Sequence, residues 1–195
     1  MAAAPKHKLI LASASLRRLD LLKQINVTPA RIEPTEIDET PLKGERPRLY
    51  AERMALNKAM AAADKSPDAL ILAADTVVAV GRRIIGKPSS EAEARQFLGL
   101  LSGRQHRVIT AVALQMPGKP LRLKTSVTSL AFKRLTAAEI DAYIESGEWQ
   151  GKAGAYAIQG LAGAFVRRLG GSYSNVVGLP LFETAGLLKW AGYDG

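Results

Sequence analysis

The chain has 195 residues with 27 basic and 18 acidic side chains, and this formal net charge of +9 attracts polyanions such as nucleotides, nucleic acid or an acidic membrane. Hydrophobic residues make up 47% and charged residues 23%, which excludes a disordered or fibrous protein, and the length predicts one domain over residues 1–195. Cysteine is absent and histidine occurs twice, so disulfide frameworks, thiolate metal sites and cysteine nucleophiles are excluded.

The hydrophobic pattern alternates between strand-like runs and helical spacing. It predicts, in chain order, a strand over 8–12, a helix that begins near 16, an extended segment at 30–32, a loop over 33–46, a helix over 47–64 and a strand over 69–80 that turns back at 81–82. It then predicts helices that begin at 90 and 136, strands over 107–115 and 121–132, a glycine-rich stretch over 147–178 and a helix after 180.

Helix starts and strand connections refine this prediction. Ser90 with Glu93 and Thr136 with Glu139 have the spacing of a capping box. The long hairpin of strands 107–115 and 121–132 argues against a purely parallel sheet. We therefore predict an α/β fold with a mixed sheet.

The location is predicted from apolar runs. No run reaches the roughly 20 residues that a membrane helix needs, and residues 1–6 lack the apolar core of a secretory signal. We therefore expect a cytoplasmic protein with no membrane partner.

Residues 13–18 (SASLRR) lie where a strand meets the start of a helix. Free backbone N–H groups, the Ser13 hydroxyl and the guanidinium groups of Arg17 and Arg18 could converge there on a phosphate. The alternative is that the serines only cap the helix and the arginines are solvated.

Asp75 directly follows the apolar run 70–74, so we expect a carboxylate at the end of a buried strand, with Thr76 beside it. A buried carboxylate is costly unless it is paired, protonated or bound to a metal. Asp75 is therefore a candidate metal ligand or general base. The alternative is that it caps a turn at the end of the strand.

Two further segments carry charges suited to phosphate or metal. Residues 81–88 (GRRIIGKP) nearly match a phosphate-binding loop, but Pro88 replaces the Mg²⁺-binding hydroxyl and we reject that class. Lys87 could still contact a phosphate, or it is an ordinary surface lysine. The loop over 33–46 carries four carboxylates, which could supply a second metal ligand or could simply be solvated: Glu33, Glu36, Asp38 and Glu39.

The glycine-rich segment 151–160 (GKAGAYAIQG) contains one lysine and one glutamine. Its glycines allow a ligand to approach the backbone, and the Gln159 amide offers both a donor and an acceptor for a nucleobase edge. The alternative is a tightly packed structural turn. His106 is interpreted as a strand-edge residue and is a weak catalytic candidate.

Taken together, these segments are more specific than any one of them. They are residues 11–18, 73–78 (AADTVV), 86–88 (GKP), 101–103 (LSG), 152–156 (KAGAY), 158–160 (IQG), 171–173 (GSY) and 177–180 (VGLP). In this order they closely resemble the Maf family of nucleotide pyrophosphatases, also called septum-formation inhibitors, over nearly the whole chain.

The resemblance implies an elongated mixed β-sheet flanked by helices, in two lobes with a central cleft, similar to the inosine-triphosphate pyrophosphatase architecture. The implied activity is hydrolysis of dTTP and UTP, and of modified pyrimidine nucleotides, to the monophosphate and pyrophosphate with Mg²⁺ or Mn²⁺. A homodimer is expected at the level of the family.

The resemblance also implies roles for residues at matching positions. Asp75 would be the catalytic proton acceptor, and Glu39 would join it as a metal ligand. The remaining roles are base specificity for Arg17, Thr76 and Gln159, and phosphate binding for Arg18, Lys87 and Lys152. Two positions depart from the family pattern, with Leu16 in place of a common proline and Gly151 in place of a frequent acidic residue.

Two alternative functions stay open. One is a pyrophosphatase of broader or methylated-purine specificity, such as one for 7-methyl-GTP. The other is a non-catalytic nucleotide-binding or nucleic-acid-binding regulator of cell division. The basic residues are spread along the chain and aromatics are only 6%, so we expect no stable nucleic-acid partner.

Overall fold

A computed structural model describes residues 7–193 of the chain, so the segment 1–6, in which no secretory signal is expected, lies outside the described residues. The strands are β1 (Leu9–Ala12), β2 (Arg31–Ile32), β3 (Leu70–Val80), β4 (Arg83–Ile85), β5 (Gln105–Gln115), β6 (Arg122–Phe132) and β7 (Val166–Gly170). The α-helices are α1 (Leu16–Gln24), α2 (Pro47–Lys65), α3 (Glu91–Leu101), α4 (Ala137–Glu145), α5 (Tyr173–Val177) and α6 (Leu181–Trp190). Among the described residues, no helix is long and apolar enough to cross a bilayer.

The strands form one mixed sheet in the order β2-β1-β3-β5-β6-β7, with β4 beside β3. β1 runs parallel to β2 and β3, and the other pairings are antiparallel. The predicted α/β class and mixed sheet are confirmed. β7 was missed within the glycine-rich stretch because it is a short edge strand without buried residues, and so it lacks the apolar run that marked the others.

The first half of β3 is buried on both faces, which explains its continuous apolar sequence. Leu72 packs with leucines of α1 and α6 on one face, whereas Ile71 packs against α2 on the other. A third core lies between the far end of the sheet, α3, α4 and the 3-10 turn Leu161–Phe165. The core is thus divided into a central part and a second lobe.

One edge of β3 is interrupted, and this interruption positions the cleft. β1 pairs with residues 70–73 and β4 pairs with residues 78–80 on that edge, while β5 covers the opposite edge from Ile71 to Ala79. Asp75 therefore lies in the middle of an eleven-residue strand, and its expected place at the strand's end was wrong. It lies instead just beyond the carboxyl end of the parallel neighbour β1, where Ala12 pairs with Ala73.

The two predicted capping boxes differ. At α4 both halves form, because the Thr136 hydroxyl accepts from the Glu139 N–H and the Glu139 carboxylate accepts from the Thr136 N–H. At α3 the Ser90 hydroxyl accepts from the Glu93 N–H, but the Glu93 carboxylate bonds to Ser89 instead of Ser90. Only half of the second box was therefore predicted correctly.

Candidate active site

A cleft of about 630 Å³ opens at the interrupted edge of β3. Its walls come from the β1–α1 turn, the middle of β3, the loop over 33–46, the turn at 87, the segment 151–159 and the end of α5. The sequence analysis predicted candidate groups on all of these segments except the end of α5, and the tertiary fold brings them to one cavity. The lining contains five cationic side chains and two carboxylates: Arg17, Arg18, Lys58, Lys87, Lys152, Glu39 and Asp75.

Two carboxylates share one lysine at the floor of the cleft. Lys58 Nζ donates to Asp75 Oδ1 at 2.6 Å and lies 2.7 Å from Glu39 Oε1. Lys58 and Asp75 are both buried, with 9% and 8% of their surfaces exposed, so each charge needs the other. The pair therefore fixes the direction of the Asp75 carboxylate.

Glu39 is held from two sides. The Tyr50 hydroxyl donates to the Glu39 backbone carbonyl at 2.7 Å, and Lys87 Nζ lies 3.8 Å from Glu39 Oε2. Burial by itself would raise the pKa of Glu39, but the hydrogen bond and charge of Lys58, with the charge of Lys87, outweigh it and lower that pKa. Glu39 is therefore ionised at neutral pH.

Sequence reasoning missed Lys58, although the sequence contained a signal for it. Lys58 stands on the buried stripe of α2, one helical turn after Met54 and one before Ala62, and both of these neighbours are fully buried. A single cation on an apolar stripe needs a buried anion. That anion is Asp75 on the facing strand.

Arg18 ties three elements together beneath the other side of the cleft. Its guanidinium donates to the Ser13 hydroxyl at 2.8 Å, to the Gly178 carbonyl at 2.9 Å and to the Thr76 hydroxyl at 3.3 Å. Burial lowers the pKa of Arg18, and the negative charges of Asp75 and Glu39 act against that shift. Arg18 thus joins α1 to β3 and to the end of α5 from within the cleft wall.

The serine turn does not act as the alternative interpretation supposed. Ser15 is the N-cap residue of α1, yet its side chain makes no capping hydrogen bond. Ser13 is buried, and its hydroxyl accepts from the Ser15 N–H and from Arg18. Arg17 lines the cleft half-buried, and burial lowers the pKa of its guanidinium.

Thr76 points to the opposite face of β3 from Asp75, as strand alternation requires. Its hydroxyl contacts the Thr110 hydroxyl at 2.9 Å as well as Arg18. Thr110 in turn donates to the Asn175 carbonyl at 3.0 Å. Thr76 therefore lines the cleft while it belongs to a polar network that reaches α5.

The remaining predicted residues lie on loops. Lys87 and Gln159 are exposed side chains of the cleft, and Lys152 Nζ donates to the Gln150 carbonyl at 2.9 Å. Burial, and secondarily the charge of Arg17, lower the pKa of Lys152. The Gly154 N–H donates to the Gly86 carbonyl at 2.9 Å, so the segments that carry Lys87 and Lys152 are joined directly.

Only one of the four carboxylates singled out in the acidic loop faces the cleft. Glu33 pairs with Arg31, Asp38 accepts from the Thr40 N–H, and Glu36 is exposed. The solvated interpretation therefore holds for Glu36 and Asp38, whereas the Glu33 side chain is only 17% exposed. Glu39 alone converges with Asp75.

The donor set fits a hard divalent cation. No cluster of three or more histidine, aspartate or glutamate side chains with metal-binding geometry occurs within residues 7–193. Asp75 and Glu39 nevertheless approach one point, which Lys58 Nζ now occupies. One or two carboxylates combined with substrate phosphates is the usual way proteins bind Mg²⁺.

Comparison with known proteins shows which family the sequence matches. The sequence matches the family described as Maf-like protein over residues 8–191. The chain belongs to the Maf family. A dTTP/UTP pyrophosphatase from Paramagnetospirillum magneticum is 58% identical to this Maf-family chain, with 95% of this chain and 97% of that protein covered. A dTTP/UTP pyrophosphatase from Caulobacter vibrioides is 55% identical, with 99% of both chains covered.

The fold of this Maf-family chain is also found in more distant proteins. A HAM1 protein from Coxiella burnetii superposes with a TM-score of 0.56 over 94% of this chain and 99% of that one. The sequence identity is 18%, so this likeness concerns the fold alone. It agrees with the predicted similarity to the inosine-triphosphate pyrophosphatase architecture.

Proposed function

We infer that the protein is a nucleoside triphosphate pyrophosphatase that hydrolyses dTTP and UTP to the monophosphate and pyrophosphate. The observation that carries this inference is the cleft, in which an oriented carboxylate, Asp75, lies among five cationic side chains. A formal excess of three positive charges suits a triphosphate, and two relatives that cover nearly the whole chain bear the name of this activity.

Asp75 is proposed as the proton acceptor for the attacking water. Lys58 holds Oδ1 by a hydrogen bond, so Oδ2 is left to orient the water and take its proton. Attack on the α-phosphorus then breaks the bond to the pyrophosphate group, which leaves with the negative charge. Most of the rate enhancement comes from positioning and charge stabilisation.

Cations of the cleft are proposed to bind the triphosphate. Lys87, Lys152 and Arg17 line the cavity from three different segments, so they can contact phosphate oxygens from different sides. Arg18 and Ser13 lie deeper and bond to each other. We propose that this pair positions the turn before α1, whose backbone N–H groups face the phosphates.

The base is proposed to lie near Gln159. Its exposed amide offers one donor and one acceptor, which match the edge of uracil or thymine. The Thr76 hydroxyl is engaged by Arg18 and Thr110, so we propose that Thr76 influences base preference through the position of this network.

Asp75 and Glu39 would hold Mg²⁺ or Mn²⁺ together with the substrate phosphates. The ion would supply positive charge against the phosphate oxygens. Lys58 lies between the same two carboxylates before substrate arrives, so its charge offsets part of their repulsion. The cytoplasm, where nucleoside triphosphates are made, fits this substrate, and a homodimer remains part of the proposal from the family resemblance.

The test is hydrolysis of a panel of common and modified nucleoside triphosphates by purified protein with Mg²⁺ or Mn²⁺. Chromatography that resolves monophosphate, diphosphate, pyrophosphate and phosphate should show UMP or dTMP released with pyrophosphate. Cleavage confined to other bases, such as 7-methyl-GTP, would contradict the pyrimidine preference. Binding without cleavage would favour a regulatory role in cell division.

A further inference from the structure

A buried histidine stands behind the loop that carries Lys152 and Gln159. His106 is the second residue of β5, as its interpretation as a strand-edge residue predicted, and only 2% of its surface is exposed. Its ring meets Phe132 edge-on with centroids 4.8 Å apart, and its Nε2 lies 2.9 Å from the Tyr156 hydroxyl. Tyr156 belongs to the cleft lining, so the histidine reaches the cleft through one side chain.

The direction of this hydrogen bond follows from the chemistry of its two groups. His106 Nδ1 is buried and has no hydrogen-bond partner among the described residues. If Nε2 carried the proton, both the Nδ1 lone pair and the Tyr156 hydroxyl proton would lack partners. If Tyr156 donates to Nε2, the Nδ1 proton and the lone pairs of the hydroxyl oxygen lack partners. A neutral imidazole nitrogen is a stronger acceptor than a phenol oxygen, so the arrangement in which the Tyr156 hydroxyl donates to Nε2 is the favoured one.

The backbone just before Tyr156 is strained. Gly154 has φ of 73° and Ala155 has φ of 61°, and the left-handed region is unfavourable for alanine. Such a conformation persists only where the surrounding contacts impose it. The contacts at this turn are the Gly154 N–H bond to Gly86, the His106–Tyr156 bond and the bond from the Ala157 N–H to the Tyr143 hydroxyl at 3.1 Å.

We propose that His106 is a positioning residue for the active site, acting through Tyr156 to hold the strained turn 154–155 so that Lys152 and Gln159 face the substrate. The proposal rests on the proposed pyrophosphatase function for its kinetic consequences only. The aromatic contacts of His106 and Tyr156 hold the buried side of the loop, and the hydrogen bond between them restricts the loop to one position.

The kinetic test uses variants of the full chain that remove the bond from either side. Tyr156→Phe deletes one oxygen, and His106→Leu removes the acceptor. We expect each to raise the KM for UTP about three- to tenfold while kcat stays within about twofold. The reason is that loss of one buried hydrogen bond lowers the fraction of molecules in which the loop holds Lys152 and Gln159 toward the substrate. The double variant should be no worse than the poorer single variant, because both remove the same bond.

Two further variants separate positioning from stability. His106→Gln keeps an acceptor for the Tyr156 hydroxyl and should recover most of the KM. Ile144→Val trims the same hydrophobic core on α4 and should lower the thermal midpoint without changing KM. If Tyr156→Phe, His106→Leu and Ile144→Val all lower Tm and all leave KM unchanged, the pair only fills the core and the proposal is wrong.

Hydrogen exchange gives a readout that does not depend on turnover. Amides of residues 153–160 should exchange faster in Tyr156→Phe and His106→Leu than in the wild type, and those of β3 should not. Unchanged exchange over 153–160 would overturn the proposal even if the enzyme were active. Wild-type protein that cleaves no nucleotide, combined with faster loop exchange in the variants, would overturn the proposed function and leave the positioning intact.

Discussion

The sheet side of the cleft and its loop side position their charged groups by different means. On the sheet side, Asp75 lies within a strand paired along its far edge, and Lys58 joins it from a helix packed on that strand. On the loop side, Lys152 and Gln159 lie on irregular chain held by glycine contacts and by buried aromatic hydroxyls. The group proposed for chemistry is therefore held by strand pairing and helix packing, whereas Lys152 and Gln159, which are proposed to bind substrate, depend on a few buried hydrogen bonds of a loop.

The largest expected effect is on the sheet side. Asp75→Asn should lower kcat by at least about 10²-fold with a modest change in KM, because the amide cannot accept the proton of water. Steady-state hydrolysis of UTP measures this, and Asp64→Asn at the exposed end of α2 is the matched control. Near-normal turnover in Asp75→Asn would remove Asp75 from its proposed role.

Acid should reduce the stability that neutral His106 contributes on the loop side of the cleft. Burial lowers the pKa of His106 to about 4, below its usual 6.5. The unfolded chain therefore binds a proton that the folded chain excludes, so this contribution is complete above pH 6.5 and is lost as the pH falls toward 4. The free energy of unfolding should fall by about 3 kcal/mol over this range, because each pKa unit corresponds to about 1.4 kcal/mol.

Urea unfolding of the wild type and His106→Gln between pH 7.5 and 4 measures this contribution. The difference between the two free energies of unfolding should shrink or change sign as the pH falls, because the glutamine does not titrate. Parallel curves for the two proteins would show that His106 is not the titrating group.

Removal of the shared cation should damage the sheet side next. Lys58→Met leaves Asp75 and Glu39 facing each other without compensation, so we expect a loss of about 3 kcal/mol in the free energy of unfolding, at the low end for a buried pair because the Glu39 side chain is 45% exposed. We also expect a fall of about tenfold or more in kcat/KM. Lys65→Met, at the exposed end of the same helix, should change neither quantity, and equal effects of the two variants would refute the role of Lys58.

Gly154→Ala tests how tightly the loop side is docked. A Cβ at this position would lie 2.9 Å from Val78 Cγ2, and the backbone has a positive φ that favours glycine. The loop must therefore shift, and kcat/KM for UTP should fall about tenfold. Gly99→Ala, in the interior of α3 with open space around it, should instead stabilise the protein slightly. Unchanged kinetics in Gly154→Ala would show that the loop tolerates displacement.

The smallest expected effect concerns the exposed amide of the loop side. Gln159→Ala should reduce discrimination between UTP and other nucleoside triphosphates about three- to tenfold, with kcat for UTP nearly unchanged. The ratio of kcat/KM values across the substrate panel measures it. Gln150→Ala, on the same exposed segment, should keep the wild-type profile, and a matching profile in Gln159→Ala would remove its role as base reader.

Much of the site was predictable because the residues carry local signals. A carboxylate after an apolar run, arginines after a strand–turn and a glutamine among glycines each mark a candidate without knowledge of the fold, and Asp75, Arg17 and Gln159 all line the cleft. Lys58 also carried a signal, as a cation on the buried stripe of α2, but its meaning depends on which strand faces that helix.

Local sequence patterns were enough to predict the alternation of strands and helices, the mixed sheet and most candidate site residues, because periodicity, caps and apolar runs act over a few neighbouring residues. Tertiary structure alone decided the interrupted edge of β3, the pairing of Lys58 with Asp75 and Glu39, and the burial of His106 against Tyr156. These contacts join residues far apart in the chain. Their existence depends on strand register and helix packing, which no local pattern specifies.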